Sequence, residues 1–198
     1  PPGGPFGRPG RVWHTRAMPV AVHHVDHPLI ADSLVRVRDA NTPNAIFRQE
    51  IERIGSLLLA EATRNLPTQT VRVTTPLTET SGRVLAAQPV VVPVLRAGLG
   101  FLHAAQELLP NADIGFIGMS RDEATFQPKS YVNKLPESLA GRQCIVLDPM
   151  LATGGSLAHA CQQLIGRGAT GTIIVVCVLA APEGIQVLEQ AGLDLAIY

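Results

Sequence analysis

Short apolar runs alternate with amphipathic stretches through the second half of the chain. Runs of this kind are typical of strands buried on both faces of a parallel sheet, and the stretches between them have helical periodicity. The predicted strands are Val90–Leu95, Ile114–Met119, Cys144–Leu147, Ile173–Leu179 and Leu193–Tyr198. The predicted helices between them are Gly98–Leu109, Ser156–Gly166 and Glu183–Ala191. This alternation predicts an α/β fold, a parallel sheet flanked by helices with right-handed crossovers.

The first half of the chain is predicted to contain two helices. Pro28–Asp39 forms the first, with proline at the position that a helix tolerates best. Thr42, followed by Pro43, is the predicted cap of the second. The buried stripe of the second helix repeats at helical spacing and consists of Phe47, Ile51, Ile54, Leu58 and Ala62.

Two segments depart from this alternation. Residues 1–17 begin with PPGGPFGRPG, which cannot contribute to a core, and we expect them to be a disordered or non-native extension. Residues 18–198 then form one domain. Within it, Val71–Thr74 and Val84–Ala86 are β-like pieces on either side of a polar turn at Ser81-Gly82, which predicts a small antiparallel excursion.

Composition favours a compact protein without bulk attraction to polyanions. Hydrophobic residues make up 46% of the chain and charged residues 16%, whereas disordered chains have the opposite balance. Acidic and basic residues number 16 each, so binding to nucleic acid or to an anionic membrane is not expected, and any anion site must be a local cluster. The sequence has no signal peptide and no apolar run of the ~18 residues that span a membrane, so we expect a cytoplasmic protein.

Neither the cysteines nor the histidines indicate a metal site. Cys144, Cys161 and Cys177 have no ligand spacing and are expected to be buried free thiols. Among the four N-terminal histidines only His23 and His27 have the spacing of a helical pair, and a proline follows them directly.

Candidate chemistry follows the ends of three predicted strands, where ligands bind in sheets of this type. The segment after Leu147 starts with an acid and opens a helix: Asp148, Pro149, Met150, Leu151, Ala152, Thr153, Gly154, Gly155 and Ser156. Glycines and hydroxyl residues at a helix N-terminus form a phosphate cradle, because backbone N–H groups converge there. The acid at the strand end is placed to accept hydrogen bonds from sugar hydroxyls. The alternative is an ordinary turn in which the hydroxyl residues only cap the helix.

Arg96 follows the strand Val90–Leu95 on a glycine turn and is the predicted anion-binding cation. A dinucleotide fingerprint beginning at Gly98 is disfavoured because His103 occupies its third glycine position. A Walker phosphate loop is also disfavoured, since the chain has no GxxxxGK[ST] motif. The remaining alternative for Arg96 is a surface ion pair.

The third strand end, after Met119, leads through Ser120 and Arg121 into a polar stretch that reaches Pro136. Long loops inside compact domains are usually functional lids or disordered segments. The cations of this stretch suit a lid that closes over a polyanion. The alternative is a solvated surface loop.

Four motifs in this order resemble the uracil phosphoribosyltransferase family: VPVLRAGLG, SRDEATFQPKSYVNKLP, VLDPMLATGGS and VLAAPEGI. The resemblance extends from about Val25 to Tyr198. Most transferases of this fold have two adjacent acids where this chain has Asp148-Pro149, and that replacement is typical of the uracil branch. The resemblance implies transfer of the phosphoribosyl group from phosphoribosyl pyrophosphate to uracil, giving UMP and pyrophosphate in pyrimidine salvage. It implies Mg²⁺ carried with the donor, a homo-oligomer and, in some relatives, GTP as an effector.

By position, the resemblance implies that Arg96 and Arg121 contact the pyrophosphate and that Asp148–Ser156 holds the ribose 5-phosphate, with Asp148 near the ribose hydroxyls. Family members continue past the equivalent of Tyr198 into a segment that recognises uracil, so the acceptor half of the site is expected to be missing from this chain. Two alternatives remain open. One is a phosphoribosyltransferase for purines or orotate, and the other is a non-catalytic regulator of this fold that senses phosphoribosyl pyrophosphate or binds RNA.

Overall fold

The computed structural model describes residues 20–121 and 128–198, leaving out the side chains of residues 120, 121 and 128–130. The predicted extension at residues 1–17 therefore lies outside the described residues. The helices are α1 (Pro28–Arg38), α2 (Asn44–Ala62), α3 (Leu102–Leu108), α4 (Gly155–Gly166) and α5 (Pro182–Gln190), and a 3-10 helix covers Ala97–Phe101. The strands are β1 (Ala21–Val22), β2 (Thr68–Thr74), β3 (Glu79–Leu85), β4 (Val90–Leu95), β5 (Asp113–Ile114), β6 (Phe116–Arg121), β7 (Pro128–Lys134), β8 (Cys144–Leu147), β9 (Met150–Leu151), β10 (Ile173–Val176), β11 (Leu179–Ala180) and β12 (Leu195–Ile197).

The main sheet of the described part of the chain has the strand order β1-β12-β10-β8-β4-β6-β7, with β5 also paired to β4. All of its pairs are parallel except β6 with β7. The predicted parallel α/β fold is confirmed. Because β4 and β8 are neighbours, their carboxyl ends bring Leu95 and Leu147 to the same edge of the sheet.

Two apolar layers cover the sheet, and alternate residues of each strand point into opposite layers. In β8, Cys144 and Val146 face the layer that contains α4 and α5, whereas Ile145 and Leu147 face α2 and α3. Four of the five residues predicted for the stripe of α2 are buried, and Phe47 is partly buried. Within residues 20–121 and 128–198, none of the helices combines the length and the hydrophobicity that a membrane span requires.

The start of α2 differs from the prediction. Pro43, rather than Thr42, is the residue that precedes its first turn. The hydroxyl of Thr42 instead donates to the carbonyl oxygen of Arg36 at 2.6 Å, so it joins the end of α1 to the loop. The cap of α1 is His27, whose Nδ1 accepts from the backbone N–H of Leu29 at 3.1 Å. His27 therefore has a structural role as a helix cap, which its spacing from His23 does not indicate.

The antiparallel excursion exists as the β2–β3 hairpin, but its turn was predicted in the wrong place. Ser81 and Gly82 lie inside β3 and pair with Arg72 and Val71. The chain reverses after Thr75, whose hydroxyl bonds with the backbone of Thr78. Threonine side chains satisfy turn backbones in this way, so Thr75, rather than the glycine, marks the turn.

Other predicted strands and helices differ from the structure in their bounds or continuity. The strand predicted at Ile173–Leu179 ends at Val176, and the short β11 follows it. The helix predicted at Gly98–Leu109 starts as a 3-10 turn. The strand predicted at Ile114–Met119 is interrupted at Gly115, whose N–H donates to the Val91 carbonyl.

Candidate active site

The carboxyl ends of β4 and β8 open into a cleft of about 220 Å³. Arg96, Asp148 and the turn before α4, which follow different strands in the sequence, meet in this cleft. Its lining consists of Val94, Leu95, Arg96, Ala97, Met119, Asp148, Met150, Leu151, Ala152, Thr153, Gly154, Ser156 and Leu157. Of the predicted site residues whose side chains the structure describes, Pro149 and Gly155 do not line it; Pro149 is buried and Gly155 half-buried.

Arg96 stands at one side of the cleft. It follows β4 after a cis peptide bond with Leu95, and the 3-10 helix begins at the next residue. The side chain is exposed, and its guanidinium has no ion-pair partner within residues 20–121 and 128–198. An arginine without a carboxylate partner keeps its planar set of donors available for an anion.

Asp148 lies at the floor of the cleft, directly after β8. Burial raises the pKa of its carboxyl from 3.8 to about 6, and a hydrogen bond from the Met150 backbone N–H opposes that rise. The N–H of Asp148 itself donates to the carbonyl of Val176 at 3.1 Å, which extends the sheet pairing by one residue. The group is therefore an ionised acceptor at neutral pH, held in a partly desolvated place where hydrogen bonds are strong.

The turn before α4 forms the other side of the cleft. Gly154 precedes the helix with a φ of +77° and a ψ of −18°, a left-handed conformation that glycine adopts without strain. Thr153 and Ser156 are exposed toward the cleft. The first N–H groups of the 12-residue helix α4 have no partner inside the helix and add the positive end of its dipole. This combination suits a phosphate group.

The predicted lid contains more regular structure than expected. Residues 128–134 form β7, which pairs antiparallel with β6, so much of the stretch predicted as a loop is the second half of a hairpin. Strand β6 runs on to Arg121, so it ends two residues beyond the predicted end at Met119. The side chain of Arg121 and residues 122–127 lie outside the described part. The role of Arg121 as a pyrophosphate contact therefore stays a prediction.

Tyr131 of β7 is a site residue that sequence reasoning placed only loosely, within the lid. It lies beside Gly118 of β6, where a Cβ would be 2.7 Å from its ring. Tyr131 lines an outer extension of the cleft together with Leu95, Arg96, Ala97 and Met119. Gly118 pairs with Val132, and Tyr131 is the extra residue at the register shift that follows, so its position beside the cleft has no sequence signal until the pairing register is known.

The three cysteines are buried free thiols, as expected. Burial raises the pKa of Cys161 and of Cys177 to about 12, so neither is a nucleophile at neutral pH. Among the described residues, no three histidine, cysteine or acidic side chains are grouped as a metal site. His23 instead stacks on Tyr198 with ring centroids 4.5 Å apart.

Solved structures with similar folds were identified by comparison. The AQ2163 protein from Aquifex aeolicus is 33% identical, with a TM-score of 0.81 over 89% of this chain and 84% of that one. A purine phosphoribosyltransferase from Pyrococcus horikoshii is 15% identical with a TM-score of 0.52 over 75% of this chain and 81% of that one. The second likeness concerns the fold alone.

Sequence comparison is more specific. A uracil phosphoribosyltransferase from Cutibacterium acnes is 48% identical over 174 residues, which cover 87% of this chain and 81% of that protein. The one from Paenarthrobacter aurescens is 51% identical over 167 residues, 84% of this chain and 79% of that protein. The sequence model described as uracil phosphoribosyltransferase matches residues 24–198. The chain therefore belongs to the uracil phosphoribosyltransferase family.

Proposed function

We propose that this protein transfers the 5-phosphoribosyl group from phosphoribosyl pyrophosphate to uracil, giving UMP and pyrophosphate. The observation that carries the proposal is the meeting of Arg96, Asp148 and the Thr153–Ser156 turn around one cleft. A cation, a sugar-hydroxyl acceptor and a phosphate cradle in one place match a sugar that has phosphates at both ends. The uracil phosphoribosyltransferases to which the chain is similar support the choice of acceptor.

Each side of the cleft has its own role in this proposal. The 5-phosphate binds at the N-terminus of α4, within the segment Asp148–Ser156, where backbone N–H groups and two hydroxyls converge. Asp148 accepts hydrogen bonds from the ribose hydroxyls. Arg96 binds the pyrophosphate, because a guanidinium can engage two phosphate oxygens at once. Arg121, by its position in the family motif, is the proposed second pyrophosphate contact.

The reaction breaks the bond between ribose C1 and a pyrophosphate oxygen and forms a bond between C1 and N1 of uracil, which loses its proton. Displacement at an anomeric carbon passes through an oxocarbenium-like state. Such a reaction needs no protein nucleophile; it needs a stabilised leaving group and a base held close to C1. Arg96 stabilises the leaving group, since its guanidinium faces the negative charge that grows on the departing pyrophosphate. The β6–β7 hairpin at the mouth of the cleft would reduce the access of water, which could otherwise hydrolyse the donor.

The side chains of the cleft fit a Mg²⁺ ion that arrives with the donor. Asp148 is the carboxylate among the lining residues, and Thr153 and Ser156 add hydroxyl oxygens. A magnesium ion usually keeps several waters and uses one or two carboxylates with substrate phosphates. Asp148 and the donor's own oxygens would hold it, and the ion would neutralise phosphate charge.

Product analysis tests the proposal directly. The protein, extended past Tyr198 by the uracil-recognising segment of family members, is incubated with phosphoribosyl pyrophosphate, Mg²⁺ and one of uracil, hypoxanthine or orotate, and pyrophosphate and nucleotide are measured. We expect UMP with uracil and no nucleotide with the other two bases. Nucleotide formed from hypoxanthine or orotate would redirect the proposal to another acceptor, and donor binding without pyrophosphate release would favour a non-catalytic sensor.

Two family properties are part of the proposal. A homo-oligomer is expected, and sedimentation velocity over a range of concentrations measures it. GTP is an effector of some family members, and titration of GTP into the UMP-forming assay at low donor concentration measures whether it changes the rate here.

A further inference from the structure

Helix α5 contacts the proposed 5-phosphate turn from behind, on the side away from the cleft. Gly184, in the first turn of α5, is not among the cleft residues. A Cβ on Gly154 would be 2.5 Å from the carbonyl oxygen of Gly184. A Cβ on Gly184 would be 2.5 Å from the carbonyl oxygen of Ala152. Each glycine thus leaves room for the backbone of the other segment, and neither contact can relax by a change of rotamer.

The contact is the end of a longer backbone alignment between the two segments. Strands β9 and β11 pair in parallel, with Leu179 opposite Met150. The N–H of Val178 donates to the Pro149 carbonyl at 2.9 Å, and the N–H of Ala181 donates to the Leu151 carbonyl at 2.8 Å. The segment that leads into α5 therefore runs beside the phosphate turn until the two glycines meet.

Helix α5 is itself fixed to the core. Leu188 is fully buried in the layer that contains α4, and Ile185 packs against the same layer. A helix anchored in this way is a rigid support. On the opposite side of the turn, Thr153 and Ser156 remain free for a ligand.

We infer that Gly184 is a positioning residue for the donor's 5-phosphate: through α5 it sets the backbone conformation of the Ala152–Gly154 turn. This inference rests on the proposed function and deepens it. The motif VLAAPEGI, which had no chemical role in the sequence, thereby gains one, because Gly184 is its glycine. A side chain at 184 must displace the turn or the helix by about 1 Å, and a misplacement of that size can reduce a reaction rate on the order of 100-fold.

The test compares Gly184→Ala with Gly166→Ala. Gly166 is the last residue of α4 and a Cβ there meets nothing within 4 Å, so the control adds the same methyl group away from the cleft. Binding of ribose 5-phosphate and, separately, of pyrophosphate with Mg²⁺ is measured by calorimetry, with thermal unfolding of each protein. We expect Gly184→Ala to weaken ribose 5-phosphate binding about tenfold or more, with pyrophosphate binding changed less than about twofold. Gly166→Ala should change neither.

The outcomes separate the inference from the proposed function. Ribose 5-phosphate binding by a folded Gly184→Ala protein at the wild-type level overturns the inference alone, as does an equal loss for both ligands. A wild-type protein that binds neither ligand overturns both. If Gly184→Ala does not fold, hydrogen exchange on the wild-type protein decides: ribose 5-phosphate should slow exchange of the Ile185 amide, which bonds to Ala181 at 3.1 Å. Unchanged exchange there counts against the inference.

Discussion

Gly98 packs directly against the carbonyl oxygen of Leu147. A Cβ at position 98 would overlap that oxygen and would lie 2.9 Å from the Cα of Pro93. The contact joins the turn that presents Arg96 to the residue that precedes Asp148. The spacing between the proposed pyrophosphate and ribose sites is thus set by backbone packing, with no side chain between them.

Gly98→Ala should therefore damage both stability and donor use. The added methyl group meets backbone on two strands, so we expect a loss of about 1–3 kcal/mol in the free energy of unfolding. We also expect a rise in KM for phosphoribosyl pyrophosphate as the Arg96 turn moves outward. Urea unfolding and steady-state kinetics measure the two effects, with Gly166→Ala as the control. Wild-type values in both assays would show that this contact does not set the site.

The sequence predicted the sheet and the bounds of β4 and β8 well because the signal is strong there. The buried runs of β4, β8 and β10 are continuous, and their order along the chain follows the rules for parallel sheets. Asp148 and Arg96 could be assigned to one edge because both follow such runs. The same reasoning could not predict which glycines serve turns and which serve close approach of backbones.

Gly82 and Gly184 show this difference. Gly82 was assigned to a turn but pairs inside β3, and the turn depends on the hydroxyl of Thr75. Gly184 received no role but touches the backbone of the phosphate turn. Both depend on contacts between segments, which local propensity does not contain. Likewise, the described side chains of β7 are mostly exposed, and its strand character comes from pairing with β6.

Arg96→Ala tests the proposed pyrophosphate contact. Arg96 has no ion-pair partner in the described part of the chain, so its removal should leave the unfolding free energy within about 0.5 kcal/mol of wild type. We expect kcat/KM for the donor to fall by on the order of 100-fold or more, since a charge-stabilising donor is lost. Arg96→Lys should recover part of this loss, because it retains charge but lacks the planar fork. Donor kinetics that match the wild type in Arg96→Ala would remove this arginine from the site.

Tyr131 and Gly118 should act as one unit. A Cβ on Gly118 would lie 2.7 Å from the ring of Tyr131, which is half-exposed and free to swing away. The same Cβ would lie 3.0 Å from the Cβ of Val132, so we expect Gly118→Ala to fold with a small loss of stability and to raise KM for pyrophosphate in the reverse reaction several-fold, like Tyr131→Ala. The double variant should be no worse than either single one, since both remove the same ring from its place. Additive effects would mean that the ring and the glycine act separately.

Asp148→Asn should have opposite effects on stability and on activity. Burial raises the pKa of Asp148 from 3.8 to about 6, so the native state binds more protons than the unfolded state between those values. Wild-type stability should therefore fall as pH rises from about 4 to 6, and Asp148→Asn should lack this fall. At pH 7 the unliganded variant should be more stable by on the order of 2 kcal/mol.

Use of the donor requires the ionised carboxylate of Asp148. Activity should therefore rise with pH in the range where stability falls. Wild-type kcat/KM for phosphoribosyl pyrophosphate should fall as pH is lowered through about 6, because kcat/KM reports the ionisation of the free enzyme. Asp148→Asn should have a low kcat/KM that does not fall further as pH is lowered through about 6. Thermal unfolding at pH 4 and pH 7, together with the pH–rate profile, measures both effects on the same two proteins. If Asp148→Asn is less stable than the wild type at pH 7, Asp148 has a structural role. A buried carboxylate that serves only the ligand would lower the stability of the unliganded wild type instead.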